Sequence, residues 1–151
     1  MALDILSPLS GRVVEFADVP DPVFAGGFLG PGVAIDPVRG EQTAVAPVAG
    51  TIASMFPHAF GIATPEGREV LVHLGIETVK LEGAGFTLHR AKGDTVAAGD
   101  PVVSWDPSEI EGGGRSPISP VVALQAEPGD VALVASIGAD VAAGDLLFQV
   151  G

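Results

Sequence analysis

The chain has 151 residues, 47% of them hydrophobic, with a formal net charge of −12 and no cysteine. This length fits one domain, residues 1–151, with enough apolar material for a full core. Without cysteine there is no disulfide framework and no thiolate metal site, and the acidity argues against binding to nucleic acid or anionic lipid. No apolar run is long enough for a signal peptide or a transmembrane helix, so we expect a cytoplasmic protein without membrane insertion.

Turns and internal repeats predict the fold class. The 21 glycines and 13 prolines separate short runs rich in Val, Ile and Phe, with hardly any long helical period. Residues 7–14 (SPLSGRVV) resemble residues 46–53 (APVAGTIA), and VAAGD occurs at residues 96–100 and again at 141–145. Each repeat joins a turn to a strand. We therefore expect an all-β fold, an antiparallel β-sandwich of a duplicated motif like that of barrel-sandwich hybrids.

Two segments depart from this β pattern. Residues 20–29 place Phe24 and Phe28 four positions apart, on one helical or irregular face, with core packing as their alternative role. Residues 107–117 include three consecutive glycines and predict a surface loop with a short helical turn over residues 107–111.

A central hairpin brings two histidines together. Residues 58–63 and 68–73 are short apolar runs joined by a turn-forming tetrad, TPEG. Centring the hairpin on that tetrad pairs His58 with His73, and Phe60 with Leu71. Directly opposite residues share a face with Cβ atoms about 4.5–5.5 Å apart. Two imidazoles at that distance fit a phosphoryl group, for which one ring is the nucleophile and the other a hydrogen-bond donor.

Other functions of a histidine pair stay open at this point. Two imidazoles are half of a tetrahedral zinc site, and LytM-type metallopeptidases share the duplicated β architecture, but the chain has no His-x-His. Weak zinc binding by His58 and His73 with a carboxylate from a partner remains an alternative. A biotinyl or lipoyl carrier needs a lysine at a hairpin tip, and neither Lys80 nor Lys92 has that context. The third histidine, His89, has no sequence partner and is expected on the surface.

Residues 72–86 (VHLGIETVKLEGAGF) resemble the signature of the glucose-type IIA domain of the bacterial phosphoenolpyruvate-dependent sugar phosphotransferase system. The likeness covers essentially the whole chain and includes residues 7–11 (SPLSG), 18–24 (DVPDPVF) and 58–60 (HAF). Two positions depart from the family pattern. Glu77 stands where an Asp is usual, and residues 55–57 (MFP) stand where a Thr commonly precedes the first histidine.

The resemblance implies a phosphocarrier that requires no cofactor. His73 would accept a phosphoryl group from the phosphohistidine of the general carrier HPr and donate it to a cysteine of the IIB domain of a membrane sugar permease. His58 would donate a hydrogen bond to a phosphoryl oxygen. Regulatory protein partners are also open, and the sugar is not specified, because IIA domains do not contact it. The expected partner-docking residues are Phe60, Leu71, Val23, Phe24, Asp21 and Glu77.

Overall fold

The computed structural model describes residues 2–151, and Met1 of the predicted domain lies outside the described residues. The described chain consists mainly of short strands. The strands are β1 (Leu3–Leu6), β2 (Gly11–Val14), β3 (Gly32–Pro37), β4 (Gln42–Val45), β5 (Gly50–Phe56), β6 (Ala59–Ala63), β7 (Glu69–His73), β8 (Thr87–Leu88), β9 (Thr95–Val96), β10 (Pro101–Trp105), β11 (Ser119–Ala123), β12 (Val131–Leu133), β13 (Asp140–Val141) and β14 (Leu146–Val150). The helices are α1 (Pro22–Ala25) and α2 (Pro107–Gly112), with 3₁₀ turns at Phe16–Asp18, Thr78–Leu81 and Pro128–Asp130. Within residues 2–151, no helix combines the length and hydropathy that a membrane span needs.

The strands form one large sheet and two small ones. The large sheet has the order β13-β2-β3-β11-β7-β6-β5-β9, and the small sheets have the orders β1-β14-β12 and β4-β10-β8. All of these pairs are antiparallel. One core joins the three sheets, since Phe60 of the large sheet, Phe148 of β14 and Trp105 of β10 are all buried in it. This confirms the predicted all-β sandwich.

The two VAAGD turns have the same hydrogen bonds. In one, Asp100 Oδ2 accepts from Ala97 N at 2.9 Å, and in the other, Asp145 Oδ2 accepts from Ala142 N at 2.8 Å. Each carboxylate thereby closes its own turn before the strand that follows, β10 or β14. The identical pentapeptides therefore fold identically.

The proline segments of the other repeat lie against each other. Leu6 N donates to Pro47 O at 2.8 Å, and Val45 N donates to Pro8 O at 3.0 Å. This reciprocal exchange relates the two segments by an approximate two-fold rotation. The predicted duplication is thus confirmed as a pseudo-symmetric pair of motifs.

Both non-β segments contain a short helix, as predicted for residues 107–111, but Phe24 and Phe28 do not share the expected face, because Phe24 is buried and Phe28 lies beyond α1 and is 79% exposed. Asp21 begins α1, with Oδ1 accepting from Val23 N at 2.9 Å, and Asp106 begins α2, with Oδ1 accepting from Ser108 N at 2.9 Å. Carboxylates at this position satisfy helix-end amides that would otherwise lack a partner.

The predicted register of the central hairpin is wrong by one residue. His73 lies opposite Ala59, and Phe60 lies opposite Val72. The hairpin closes at Thr64, which donates to Arg68 O from both its amide (2.7 Å) and its hydroxyl (3.0 Å). A three-residue loop therefore replaces the expected four-residue turn. Such loops need a final residue with positive φ, and the glycine at residue 67 has φ of 90°.

Candidate functional site

The two histidines meet although the register differs from the prediction. His73 is the last residue of β7, and His58 lies in the short connection between β5 and β6. The His58 carbonyl accepts from Leu74 N at 2.7 Å, which fixes this connection beside the end of β7. The two ring centroids are 5.1 Å apart and the ring planes meet at 69°. Because His58 lies outside the strand, strand alternation does not dictate where its ring points.

A backbone carbonyl fixes the orientation of the His73 ring. His73 Nδ1 lies 2.5 Å from Gly75 O. A carbonyl oxygen only accepts, so Nδ1 is the protonated nitrogen and Nε2 carries the lone pair. Gly75 has φ of 80°, and a Cβ there would lie 2.8 Å from Thr78 Cγ2. Glycine is therefore required where the chain turns back to present this carbonyl.

Burial favours the neutral form of both rings. Desolvation, and then the charge of His73, lowers the pKa of His58. Desolvation also lowers the pKa of His73, although the Gly75 carbonyl and the Asp21 carboxylate act in the opposite direction. A neutral imidazole is the form that offers a nucleophilic lone pair.

Aromatic rings flank the pair. The Phe24 ring of α1 lies 5.3 Å from the His73 ring, and the Phe56 ring lies 5.9 Å from the His58 ring. Phe24 is only 7% exposed, so it forms a wall that covers one side of His73. Apolar walls limit the access of water to a reactive nitrogen.

Within residues 2–151, no group of three or more His, Cys, Asp or Glu side chains is placed to hold a metal ion. His58 and His73 supply two ligands, whereas zinc sites use three or four from the protein. The remaining histidine, His89, is exposed, and its Nε2 lies 2.7 Å from Ser104 Oγ of β10, which belongs to a small sheet and not to the sheet that holds β7.

Comparison with known proteins decides the family. The model for the family "phosphoenolpyruvate-dependent sugar phosphotransferase system, EIIA 1" matches residues 3–128. The chain belongs to this family. It is therefore a phosphotransferase protein of the sugar phosphotransferase system, and the metallopeptidase alternative is not favoured.

Two relatives and one solved structure illustrate the membership. The chain is 48% identical over 120 residues to the PTS system glucose-specific EIIA component of Halalkalibacterium halodurans, covering 78% of this chain and 68% of that protein. It is 43% identical over 136 residues to the beta-glucoside-specific EIIBCA component of Bacillus subtilis, covering 89% of this chain and 22% of that protein. The glucose permease IIA from Mycoplasma capricolum superposes with a TM-score of 0.87 at 34% identity, covering 99% of this chain and 96% of that one.

The structure corrects two of the expected docking residues of this EIIA chain. Phe60 is 0% exposed, because the shifted register turns it into the core. Phe24 is buried against His73, so it supports the site from below the surface. The other four remain accessible: Val23 and Glu77 are exposed, and Leu71 and Asp21 are half-buried.

Three exposed apolar side chains, in α1's C-terminal flank, beside His58 and in the 3₁₀ turn after His73, were not anticipated as docking residues. Phe28 is 79% exposed, Phe56 is 55% exposed and Val79 is 58% exposed. Phe28 N donates to Val23 O, which keeps Phe28 beside α1, and Phe56 contacts His58. Their signal in the sequence was apolar residues in turns or, for Phe56 at the end of β5, next to one, where exposure is common.

Proposed function

We propose that Nε2 of His73 is the atom that carries the phosphoryl group in the phosphocarrier function of this family. The hydrogen bond of Nδ1 to Gly75 O carries this proposal, because it leaves Nε2 as the nitrogen with a lone pair. The Nε2 lone pair attacks phosphorus, and the N–P bond of the donor phosphohistidine breaks. The electron pair of that bond stays on the donor imidazole.

His58 has the role of assisting donor in this proposal. Its ring lies 5.1 Å from that of His73 between centroids, so a phosphoryl group on His73 has an imidazole beside it. A ring N–H of His58 donates to a phosphoryl oxygen and stabilises the charge that develops during transfer. No cofactor is required for these steps.

The proposed partners are HPr as donor and the IIB domain of a sugar permease as acceptor. The name of the Bacillus subtilis relative combines EIIB, EIIC and EIIA parts in one protein, which supports a IIB partner. These exchanges belong to the cytoplasm, where we place this chain.

We define the docking face as the exposed or half-buried residues around the histidines: Val23, Phe28, Phe56, Leu71, Val79, Asp21 and Glu77. Five of these side chains are apolar and two are carboxylates. A partner with apolar contacts and a basic rim complements this pattern.

Phosphorylation in vitro tests the carrier atom. The chain is incubated with phosphoenolpyruvate, enzyme I and HPr, and its intact mass is measured. We expect one acid-labile phosphoryl group, which is lost in His73→Gln and kept in the matched control His89→Gln. Full labelling of His73→Gln would refute the assignment.

The His58 role is tested by the second half-reaction. His58→Gln should still accept the group, because the nucleophile is intact, but should transfer it to the IIB domain about 10²-fold more slowly. Equal transfer rates in this variant and the unmodified chain would remove His58 from the mechanism.

A further inference from the structure

A cleft with both polar and apolar walls lies beside the docking face. It has a volume of about 320 Å³ and is lined by Pro20, Ile76, Glu77, Gly114, Arg115 and Ser116. Ile76 N donates to Ser116 O at 2.9 Å, so the segment with Arg115 is fastened to the loop that follows His73. Any group that fills this cleft therefore sits next to the histidine site.

Arg115 differs from three other arginines in its lack of an ion pair within residues 2–151. Arg39, Arg68 and Arg90 each form an ion pair with a carboxylate. Arg115 belongs to none of the ion pairs found within residues 2–151, and its buried Nε has no hydrogen-bond partner there. Because this Nε is buried, a ligand in the cleft meets the terminal nitrogens of the guanidinium and not Nε.

The guanidinium indicates the chemistry of that ligand. Its planar donors match the two oxygens of a carboxylate or a phosphoryl group, which one charged fork binds through paired hydrogen bonds. The apolar walls from Pro20 and Ile76 reduce competition from water. An oxyanion is therefore the group that fits Arg115.

We propose that Arg115 binds a carboxylate on the protein that docks against His73, an inference that rests on the phosphocarrier function proposed above. Neither histidine lines the cleft, so an anion at Arg115 is distinct from a phosphoryl group bonded to His73. The charge that acts on the His73 ring is that of Asp21.

Arg115 adds a basic contact to a face that also carries carboxylates. Asp21 attracts basic groups, Glu77 is paired with Lys80 at 3.7 Å, and the chain has a net charge of −12, so electrostatics alone leave a basic partner several orientations. A carboxylate that must meet Arg115 selects one of them, because wrong orientations leave it facing other carboxylates. Arg115 thus fixes how the partner's phosphoryl-bearing or phosphoryl-accepting group approaches His73.

Binding measurements with unphosphorylated proteins test the proposal. Titration calorimetry measures the Kd of HPr and of the IIB domain for the unmodified chain, Arg115→Gln and Arg115→Lys. Arg12→Gln is the matched control, because it removes the same charge from an exposed position on β2, three strands from β7. We expect Arg115→Gln to weaken at least one partner about tenfold, a typical effect for a charged hydrogen bond. Arg115→Lys should restore part of that loss, because it keeps the charge without the fork.

Several outcomes would overturn the proposal. One is an unchanged Kd for both partners, and another is an equal loss in Arg12→Gln, which would show only a general effect of charge. The lifetime of phosphohistidine in the isolated chain should be the same with and without Arg115→Gln. A shorter lifetime in the variant would assign the phosphoryl group, not a partner carboxylate, to Arg115. Because binding is measured without phosphorylation, failure of His73 to accept phosphate would refute the proposed function separately.

Discussion

Removal of the Phe24 ring should both destabilise the protein and release the His73 ring to solvent. Phe24 is 7% exposed and packs in a small buried cluster with Val14, Val19, Ala34, Ile76 and Val122. Buried Phe→Ala substitutions cost about 3–5 kcal/mol. The cluster lies at the surface under a helix of four residues, so the cavity opens to water and the structure relaxes. We therefore expect Phe24→Ala to lower the free energy of unfolding by about 3 kcal/mol, at the low end of that range.

Denaturant unfolding measures this loss, and thermal unfolding should show a fall in Tm of roughly 6–12 °C for a chain of this length. Val23→Ala is the matched control on the same helix. Val23 is 44% exposed, so its truncation should change the free energy of unfolding by less than about 0.5 kcal/mol.

The same variant has a second readout at His73. Burial is the main cause of its lowered pKa, so exposure of the ring in Phe24→Ala should raise the pKa towards its ordinary value. An NMR titration of the ring protons measures this change. A loss of less than about 1 kcal/mol together with an unchanged His73 pKa would refute the role of Phe24 as a wall of the site.

Four further results are expected. The folded-state pKa values of His58 and His73 are lowered, so the unfolded chain binds more protons than the folded chain as pH falls below about 6.5. The free energy of unfolding should therefore decrease from that pH down to the folded-state pKa values. Denaturant unfolding at several pH values should show a smaller decrease in the double His→Gln variant, and identical curves would contradict this. Gly75→Ala should lower the free energy of unfolding by more than about 1 kcal/mol and impair phosphoryl acceptance. Gly27→Ala is the control for backbone strain alone, because Gly27 also has positive φ (69°) but a Cβ there would have nothing within 4 Å. Phosphoryl transfer should continue in the presence of a chelator, and the protein should retain no zinc after dialysis. Loss of transfer on chelation would favour the zinc-binding alternative. Raising salt from 0.1 M to 1 M should slow association with HPr, because the Debye length falls from about 10 Å to about 3 Å. The effect should be modest, because apolar contacts do not depend on this screening. An unchanged rate would argue against a charged rim.

The strands and the duplication were predictable because they depend on local pattern. Alternating apolar runs, Gly-Asp turns and two repeated segments each specify a strand boundary without reference to distant residues. The short helices were predictable for a similar reason, since Pro and Asp at residues 20–22 and 106–107 are helix-start signals.

The hairpin register was not predictable from the same pattern. TPEG allows either a four-residue turn or a three-residue loop, and the choice rests on the double hydrogen bond from Thr64 to Arg68 O. The resulting one-residue change of register places Phe60 in the core and not at the site. The burial of Phe24 and the isolation of Arg115 depend on packing between segments far apart in sequence, which no local signal records.

The duplication explains why the fold has one histidine site and not two. The registers of β2-β3-β11 and β5-β6-β7 make Val121 and Val72 equivalent, and these two residues lie opposite each other, so the approximate two-fold axis passes through this pair. The residues that follow them, Val122 and His73, are then equivalent positions in the two motifs. Val122 is 0% exposed and shares a cluster with Phe24, whereas His73 is half-buried beside a second imidazole.

The difference arises from one connection. In the motif that carries the site, β5 joins β6 through residues 57–58 alone, whereas in the other motif β2 joins β3 through residues 15–31. This longer connection folds into a 3₁₀ turn and α1, covers Val122 and lays Phe24 on the His73 ring. The segment that closes one of the two equivalent positions is therefore also the wall of the other. A shorter connection between β2 and β3 would expose Val122 and at the same time remove the apolar cover from His73. We therefore infer that the histidine pair depends on residues 15–31 for its apolar surroundings.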